Sequence, residues 1–391
     1  MTKIYFRTRA ILYLTLLLIS TLTTFENSSR RTARRFARVA ANVASHQSLS
    51  DLGRDPLEAA EEAFARFGVF PISFAISRTR LLWRDDPRAH NKSKEWSVIV
   101  PGAMSVAGNL NAYIFSSENT YTGEYAAAWL AHTWRKGGWD CMRHLEIIAS
   151  GALPVYRDAQ LIPPFVMTLY PKYLFEVIEH EARTGKGNVK TYESLRSKLL
   201  AWTTRHLTTE ALVHYMIGCA KLDVALVKRI LFIDPLLPVQ PDYLSVAVYI
   251  GLVETFGAKT DILFEAPYLY DSGGCRESAH LLYGRGFNYA CTLPSSARQP
   301  PLDRESAKAN IRSRAYNIVI FGAVQRGTEL VEEALAAYSG CPRCVWLCHG
   351  KDNLDDLWYE RYYNRSLVFI RELNSHFIES ELASRKAQEK S

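Results

Sequence analysis

Long uncharged apolar runs are scarce in this sequence. Ala10–Phe25, preceded by Lys3, Arg7 and Arg9, is apolar or hydroxylic over sixteen residues. That is short of the roughly twenty residues that carry a helix across a bilayer. No clear small-x-small cleavage site follows, although a cleaved signal peptide, with an apolar core of about 7–15 residues, stays open as the alternative. An uncleaved signal anchor over 10–25 is the expectation, after a short basic tail at 1–9. Cysteine is also sparse: Cys141, Cys219, Cys275, Cys291, Cys341, Cys344 and Cys348 are scattered and odd in number, which excludes a disulfide framework. Cys341-Pro-Arg-Cys344 with Cys348-His349 is at most half a zinc site, because no second ligand pair lies nearby. A local disulfide is the better expectation in a lumenal body, and no metal is expected. No Gly-x-Gly-x-x-Gly follows Ile233, where Asp234-Pro235-Leu236 stands, so the dinucleotide fingerprint of an NAD- or SAM-type enzyme is missing.

Evenly spread positive charge is absent too. The net charge is +7, and Arg30, Arg31, Arg34, Arg35 and Arg38 cluster beside the apolar segment. The rest is near neutral, which argues against a nucleic-acid-binding face and for a basic stem (26–54) against anionic headgroups. The excess of basic residues after the segment favours a cytosolic body. Three Asn-x-Ser sequons, at Asn27, Asn91 and Asn364, favour a lumenal, glycosylated one.

What is present is a globular chain of 391 residues, 48% hydrophobic and 22% charged, enough for two domains. Pro56 suits the first turn of a helix running to about Phe67. Trp96–Val100 reads as a strand, Tyr121–Trp134 as a helix, and Tyr192–His206 as another, followed by a cap at Thr208 or Thr209. The second half alternates short apolar strands (229–233, 262–264, 317–321, 344–347, 367–370) with helices (242–256, 304–314, 327–338, 354–363). That alternation predicts βαβ units and a parallel sheet, and so an α/β fold. The expected division is 55–215 and 216–391. Ligands gather beyond the carboxyl ends of parallel strands. Asp234, the Gly322–Gly327 turn with Arg326, and His349-Gly350-Lys351 occupy such positions, and the turn's amides plus Arg326 suit an anion.

Trp134–Pro164 is the densest stretch. Gly137 and Gly138 form a turn able to lie close to a ligand. Asp140 is expected to cap a helix to about Ser150, with Gly151 as its stop. Met142, Leu145 and Ala149 should face the core, while Arg143, Glu146 and Ser150 share another face. The helix start would offer amides and a positive dipole end to an anion. Arg143 and Glu146 also fit an ordinary solvated i, i+3 pair.

The run Arg143-x-x-Glu146, Gly151, Pro154-Val155 resembles the donor-site signature of exostosin-like glycosyltransferases. Ile162-Pro163-Pro164-Phe165 is similar to the Leu-Pro-Phe element that follows there. Gly138-Trp-Asp-Cys141, Asp242-Tyr243 and Tyr283-Gly-Arg-Gly-Phe287 resemble a Gly-Trp-Asp-Cys variant of that family, and the resemblance spans roughly residues 95–350. It implies a GT-B-type glycosyltransferase of two Rossmann-like halves, in a permuted or minimal arrangement, behind a membrane-anchor helix. The 55–215 half would hold the donor, with the 216–391 half as the well-formed Rossmann-like one. It further implies a nucleotide-sugar donor as substrate, an unassigned acceptor, no cofactor and no metal, which agrees with the lack of a convincing Asp-x-Asp triad. Glu146 would hydrogen-bond the donor ribose, while Arg143 and the amides at Gly137-Gly138 would neutralise the diphosphate. Asp140 and Arg326 join them as donor-binding candidates. Asp234, Asp242 and His280 are the candidates for the base. The implied setting is a single-pass membrane protein with its body in the Golgi or endoplasmic reticulum lumen, or a secreted protein if the segment is cleaved. A non-catalytic binding protein that kept the fold is the alternative.

Overall fold

The computed structural model describes residues 52–82, 86, 91–100, 115–185, 188–272, 275–279 and 281–388. The anchor segment 10–25, nearly all of the stem, Asn27 and His280 lie outside the described residues. Among the described residues, no helix is long and apolar enough to cross a membrane.

The described part is a mixed α/β structure built on parallel sheets. In chain order the strands are β1 (Phe70–Pro71), β2 (Lys94–Trp96), β3 (Ala128–Thr133), β4 (Leu153–Tyr156), β5 (Ile230–Ile233), β6 (Thr260–Ile262), β7 (Tyr270–Asp271), β8 (Leu293–Pro294), β9 (Ile318–Phe321), β10 (Val345–His349) and β11 (Leu367–Ile370). Six of them form one sheet in the order β1-β11-β10-β9-β5-β6, three form β2-β3-β4, and β7 pairs with β8. Neighbouring strands are parallel in each sheet.

The large sheet follows directly from its residues. Ile230-Leu-Phe-Ile233, Ile318-Val-Ile-Phe321 and Leu367-Val-Phe-Ile370 are apolar at every position and buried at every position, as a parallel sheet covered on both faces requires. Alternate residues take opposite faces. Leu231, Ile233, Val319, Phe321, Leu347 and Ile370 join one core with Ile311 and Leu335 of the helices Arg304–Arg312 and Val331–Ala337. Phe232, Ile320, Trp346 and Phe369 are buried on the other face. The Tyr243–Phe256 helix lies on that side and packs closely against the Thr209–Ala220 helix.

Local signals held where a cap decided the element. Asp55 Oδ1 accepts the Leu57 N–H at 2.8 Å ahead of Pro56, opening the Pro56–Phe67 helix. Thr208 Oγ1 accepts the Ala211 N–H at 3.3 Å and opens the Thr209–Ala220 helix. Helix ends without such caps shifted: the segments expected at 327–338 and 354–363 are an α-helix at Val331–Ala337 and a 3-10 turn at Trp358–Tyr362.

Two expectations are corrected outright: the strand read at Trp96–Val100 lies at Lys94–Trp96, and the helix read after it is divided. Tyr121–Trp134 is not a single helix: the helix covers Glu118–Ala126, and Ala128–Thr133 is β3, central between β2 and β4. Ala-Trp-Leu-Ala-His-Thr has no strong intrinsic preference, so pairing on both edges overrides local propensity. The turn at Gly137 therefore joins a strand to a helix, completing a β3–helix–β4 unit. The large sheet also takes its edge strand from residues 70–71, which hydrogen-bond beside β11 rather than staying with the 55–215 segment.

Candidate functional site

The loops beyond the carboxyl ends of β1, β3, β5, β10 and β11 converge on one cavity of about 420 Å³, within the size range of small-molecule sites. Gly137, Asp140, Arg143 and Glu146 line it from the β3 side, and Asp242 and Gly350 from the large sheet. Residues read from separate stretches of sequence are thus brought together.

The helix carrying Arg143 and Glu146 spans Met142–Ala149, and all of its residues except Arg143 are buried. Its N-cap is Cys141, not Asp140, and no side chain caps it. Asp140 is drawn inward instead, 1% exposed. Its Oδ2 accepts the Phe74 N–H at 2.7 Å and its Oδ1 the Tyr170 hydroxyl at 2.9 Å. Burial raises its carboxyl to about 6 even though Arg371 and these donors pull the other way. The helix stops as expected, with Gly151 at φ 74°.

Glu146 is not on a solvated face. It accepts the Tyr121 hydroxyl at 2.5 Å and Asn288 Nδ2 at 3.1 Å, and burial raises its pKa. A carboxylate has about four lone-pair sites, so each oxygen can take a further donor from the cavity. Arg143 lines the cavity with its Nε buried, and the burial of Glu146 beside it excludes a solvated ion pair on an exposed helix face.

Gly137 and Gly138 matter for a different reason from the one expected. Neither has a positive φ. A Cβ on Gly137 would strike the Asp352 carboxylate, and one on Gly138 would strike Glu372 Oε1 and come within 3.1 Å of the Asp352 carbonyl oxygen. The loop lies against two acidic side chains; the exposed Asp352 can swing away from a Cβ on Gly137, whereas the buried Glu372 and the Asp352 backbone leave Gly138 no such room. Gly138→Ala is expected to cost about 1–3 kcal/mol by overpacking. Urea unfolding checks this, and a variant as stable as wild type would rule the close approach out.

Behind the loop Arg371 is fully buried and acts as a hub. Its Nε donates to the Gly350 carbonyl at 2.9 Å, and its Nη1 to Glu372 at 3.2 Å and to the Asp140 carbonyl. Its Nη2 pairs with Asp352, and the guanidinium sits 4.3 Å over the Phe74 ring. Glu372 Oε1 also accepts the Asp140 N–H at 2.9 Å, and burial raises this carboxyl to about 7.

The other candidates divide. Asp242 lines the cavity and caps the Tyr243–Phe256 helix, accepting from Leu244 N at 2.9 Å and Ser245 N at 3.2 Å, with its pKa raised by burial. Asp234 does not line the cavity: it is buried and held by Ser245 Oγ at 2.5 Å and Leu236 N at 3.0 Å. Arg326 is turned away, donating to the Gln240 carbonyl. His280 is outside the described residues. Cys341 and Cys344 are joined in a disulfide, and Cys348 is a buried thiol of β10. Among the described residues no cluster could hold a metal ion. A second disulfide, Cys275–Cys291, was not expected. Asn91 and Asn364 are exposed.

Several wall residues were missed by sequence reasoning. Tyr283, Gly284 and Phe287 line the cavity, and Asn288 reaches across to Glu146, so the Tyr-Gly-Arg-Gly-Phe-Asn run closes the site. Arg371-Glu372 follows β11 and was legible by the strand-end rule applied to the other strands. Tyr121 carried no local signal. Comparison with family models, with curated proteins and with solved structures returned no match.

Proposed function

We propose that the cavity holds a nucleotide-sugar donor and that the protein is a metal-independent GT-B-type glycosyltransferase of two Rossmann-like halves. The observation that carries this reading is convergence: Gly137, Arg143 and Glu146 from one parallel sheet meet Asp242 and Gly350 from the other across one cavity. In this reading Arg143, with exposed Lys136 beside it on the wall, neutralises the diphosphate as it leaves with the bonding electron pair of the sugar C1. Glu146 accepts from the ribose hydroxyls with its remaining lone pairs. Asp242 is the described candidate placed to take the proton of the acceptor hydroxyl that attacks C1. Its raised pKa brings it nearer to operating pH, as a base requires. The same reading places the chain as a single-pass protein anchored through 10–25, with a lumenal body bearing glycans at the exposed Asn91 and Asn364.

The test is thermal unfolding of the purified chain against UDP-, GDP- and CMP-sugars. A ligand at about a hundred times its Kd stabilises by about 2.7 kcal/mol. One nucleotide sugar is expected to give such a shift, with affinity about 10–100-fold weaker in Arg143→Ala, the worth of a charged hydrogen bond. Arg143 is chosen because Glu146 also braces Tyr121 and Asn288, so its loss would disturb the fold. A flat panel on folded protein, or equal shifts in the variant, would defeat the reading. A non-catalytic binding role is favoured by one observation: Asp140, Glu146, Asp242 and Asp352 on the wall each already serve a structural hydrogen bond. Nucleotide-sugar binding with neither transfer nor hydrolysis would select it.

A further inference from the structure

The small sheet carries a second cavity, of about 680 Å³ and mostly apolar, that takes no part in the site above. Its floor is aromatic. Trp96, ending β2, stacks on His132 of β3 with ring centroids 4.3 Å apart and planes 19° from parallel. Trp134, just beyond β3, lines the same cavity. All three are partly exposed rather than sealed in the core. Stacking covers one face of each ring, and the partly exposed remainder of Trp96, with Trp134 beside it, is suited to a ligand with a flat apolar face.

The rim is charged and balanced. Arg157 lies 3.5 Å from Asp158, and Arg183 lies 3.5 Å from Glu179. All four side chains line the cavity, two cations beside two carboxylates. An anionic ligand such as a phosphate or uronate gains nothing net from this rim. A purely apolar ligand would cover charged groups without satisfying them, at a desolvation cost. A pyranose ring meets both demands: its C–H face packs on aromatic rings, and its hydroxyls donate to carboxylates and accept from guanidinium groups.

We infer that this cavity binds a neutral, pyranose-containing oligosaccharide, its ring face on the Trp96 face turned away from His132 and on Trp134, its hydroxyls on the paired rim charges. This goes beyond the nucleotide-sugar reading and does not depend on it. Trp134 faces this cavity while Lys136, two residues on and so within about 7 Å along the chain, faces the first.

The experiment is a titration of the purified full chain, without nucleotide, with cellobiose, lactose and N,N′-diacetylchitobiose, read by indole fluorescence and calorimetry. Cellobiouronic acid serves as the anionic comparison. At least one neutral disaccharide is expected to bind saturably, and Trp96→Ala to weaken it about tenfold or more while Trp96→Phe keeps most of it. Arg157→Ala, at a side chain 74% exposed and safe for folding, is expected to weaken binding as well. Arg143→Ala is expected to leave it unchanged, which separates this proposal from the donor site. Absence of saturable binding to any of the three, binding indifferent to both Trp96→Ala and Arg157→Ala, or a preference for the uronic acid would overturn it.

Discussion

Arg371→Met is expected to destabilise the protein by about 3–5 kcal/mol at pH 8, and by clearly less at pH 5. The side chain is fully buried and faces Asp140 and Glu372, themselves 1% and 4% exposed. Methionine fills much of the volume but removes every donor, leaving two buried carboxyls without their cation. Breaking a buried ion pair from one side costs that much because the remaining charge stays desolvated. The pH dependence follows from the carboxyls. Asp140 titrates near 6 and Glu372 near 7 in the folded protein, both above their ordinary values because of burial. Losing Arg371 raises both further. At pH 5 they are mainly protonated with or without Arg371, so its loss leaves little charge uncompensated; at pH 8 they are ionised in the wild type, and the variant must bury that charge unpaired or take up protons against the pH. Urea unfolding of both proteins at the two pH values decides it. A loss below about 1 kcal/mol, or the same loss at both pH values, would show that Arg371 is not the hub of this network.

Glu372→Gln has the opposite sign at neutral and alkaline pH. A carboxyl raised from 4.5 to about 7 binds a proton more tightly in the folded state. Its contribution is therefore complete below about pH 4.5 and is lost as pH rises through 7. The shift corresponds to about 3 kcal/mol of stability given up by pH 8. Glutamine keeps an oxygen for the Asp140 N–H and cannot ionise. The variant should match wild type near pH 4 and exceed it by up to about 3 kcal/mol near pH 8. His144 and His349, held neutral by burial near 3 and 4, act in the other direction, losing stability as pH falls below about 6.5. They are common to both proteins and cancel in the difference. A difference that stays flat from pH 4 to 8 would mean that Glu372 does not titrate in this range.

These two residues also explain why the glycine loop has its shape. Glu372 occupies the space a Cβ on Gly138 would need, and Asp352 that of Gly137. The loop that leads into the Arg143 helix is thus seated on a charged cluster.

The parallel α/β character was written into the sequence by itself. Ile230–Ile233, Ile318–Phe321 and Leu367–Ile370 are apolar at every position, which only a sheet covered on both faces can bury. Pro56, Thr208 and Gly151 marked their helix ends because caps act within four residues. Gly137, Arg143, Glu146 and Asp242, each singled out in the sequence, line one cavity, while Asp234 and Arg326, singled out with them, do not. Tertiary structure decided the rest. Ala128–Thr133 became a strand because two neighbours supply hydrogen bonds that local propensity cannot foresee. Asp140 left its cap position because Phe74, Tyr170 and Arg371, distant in sequence, offered a buried carboxylate more than one helix amide could. Asn288 reaches Glu146 over a separation of 142 residues, and Glu372 reaches the Asp140 amide over 232. Spacing along a chain reports which side chains share a face of one element. Which faces meet is set by packing the sheets together, and the site exists only where they do.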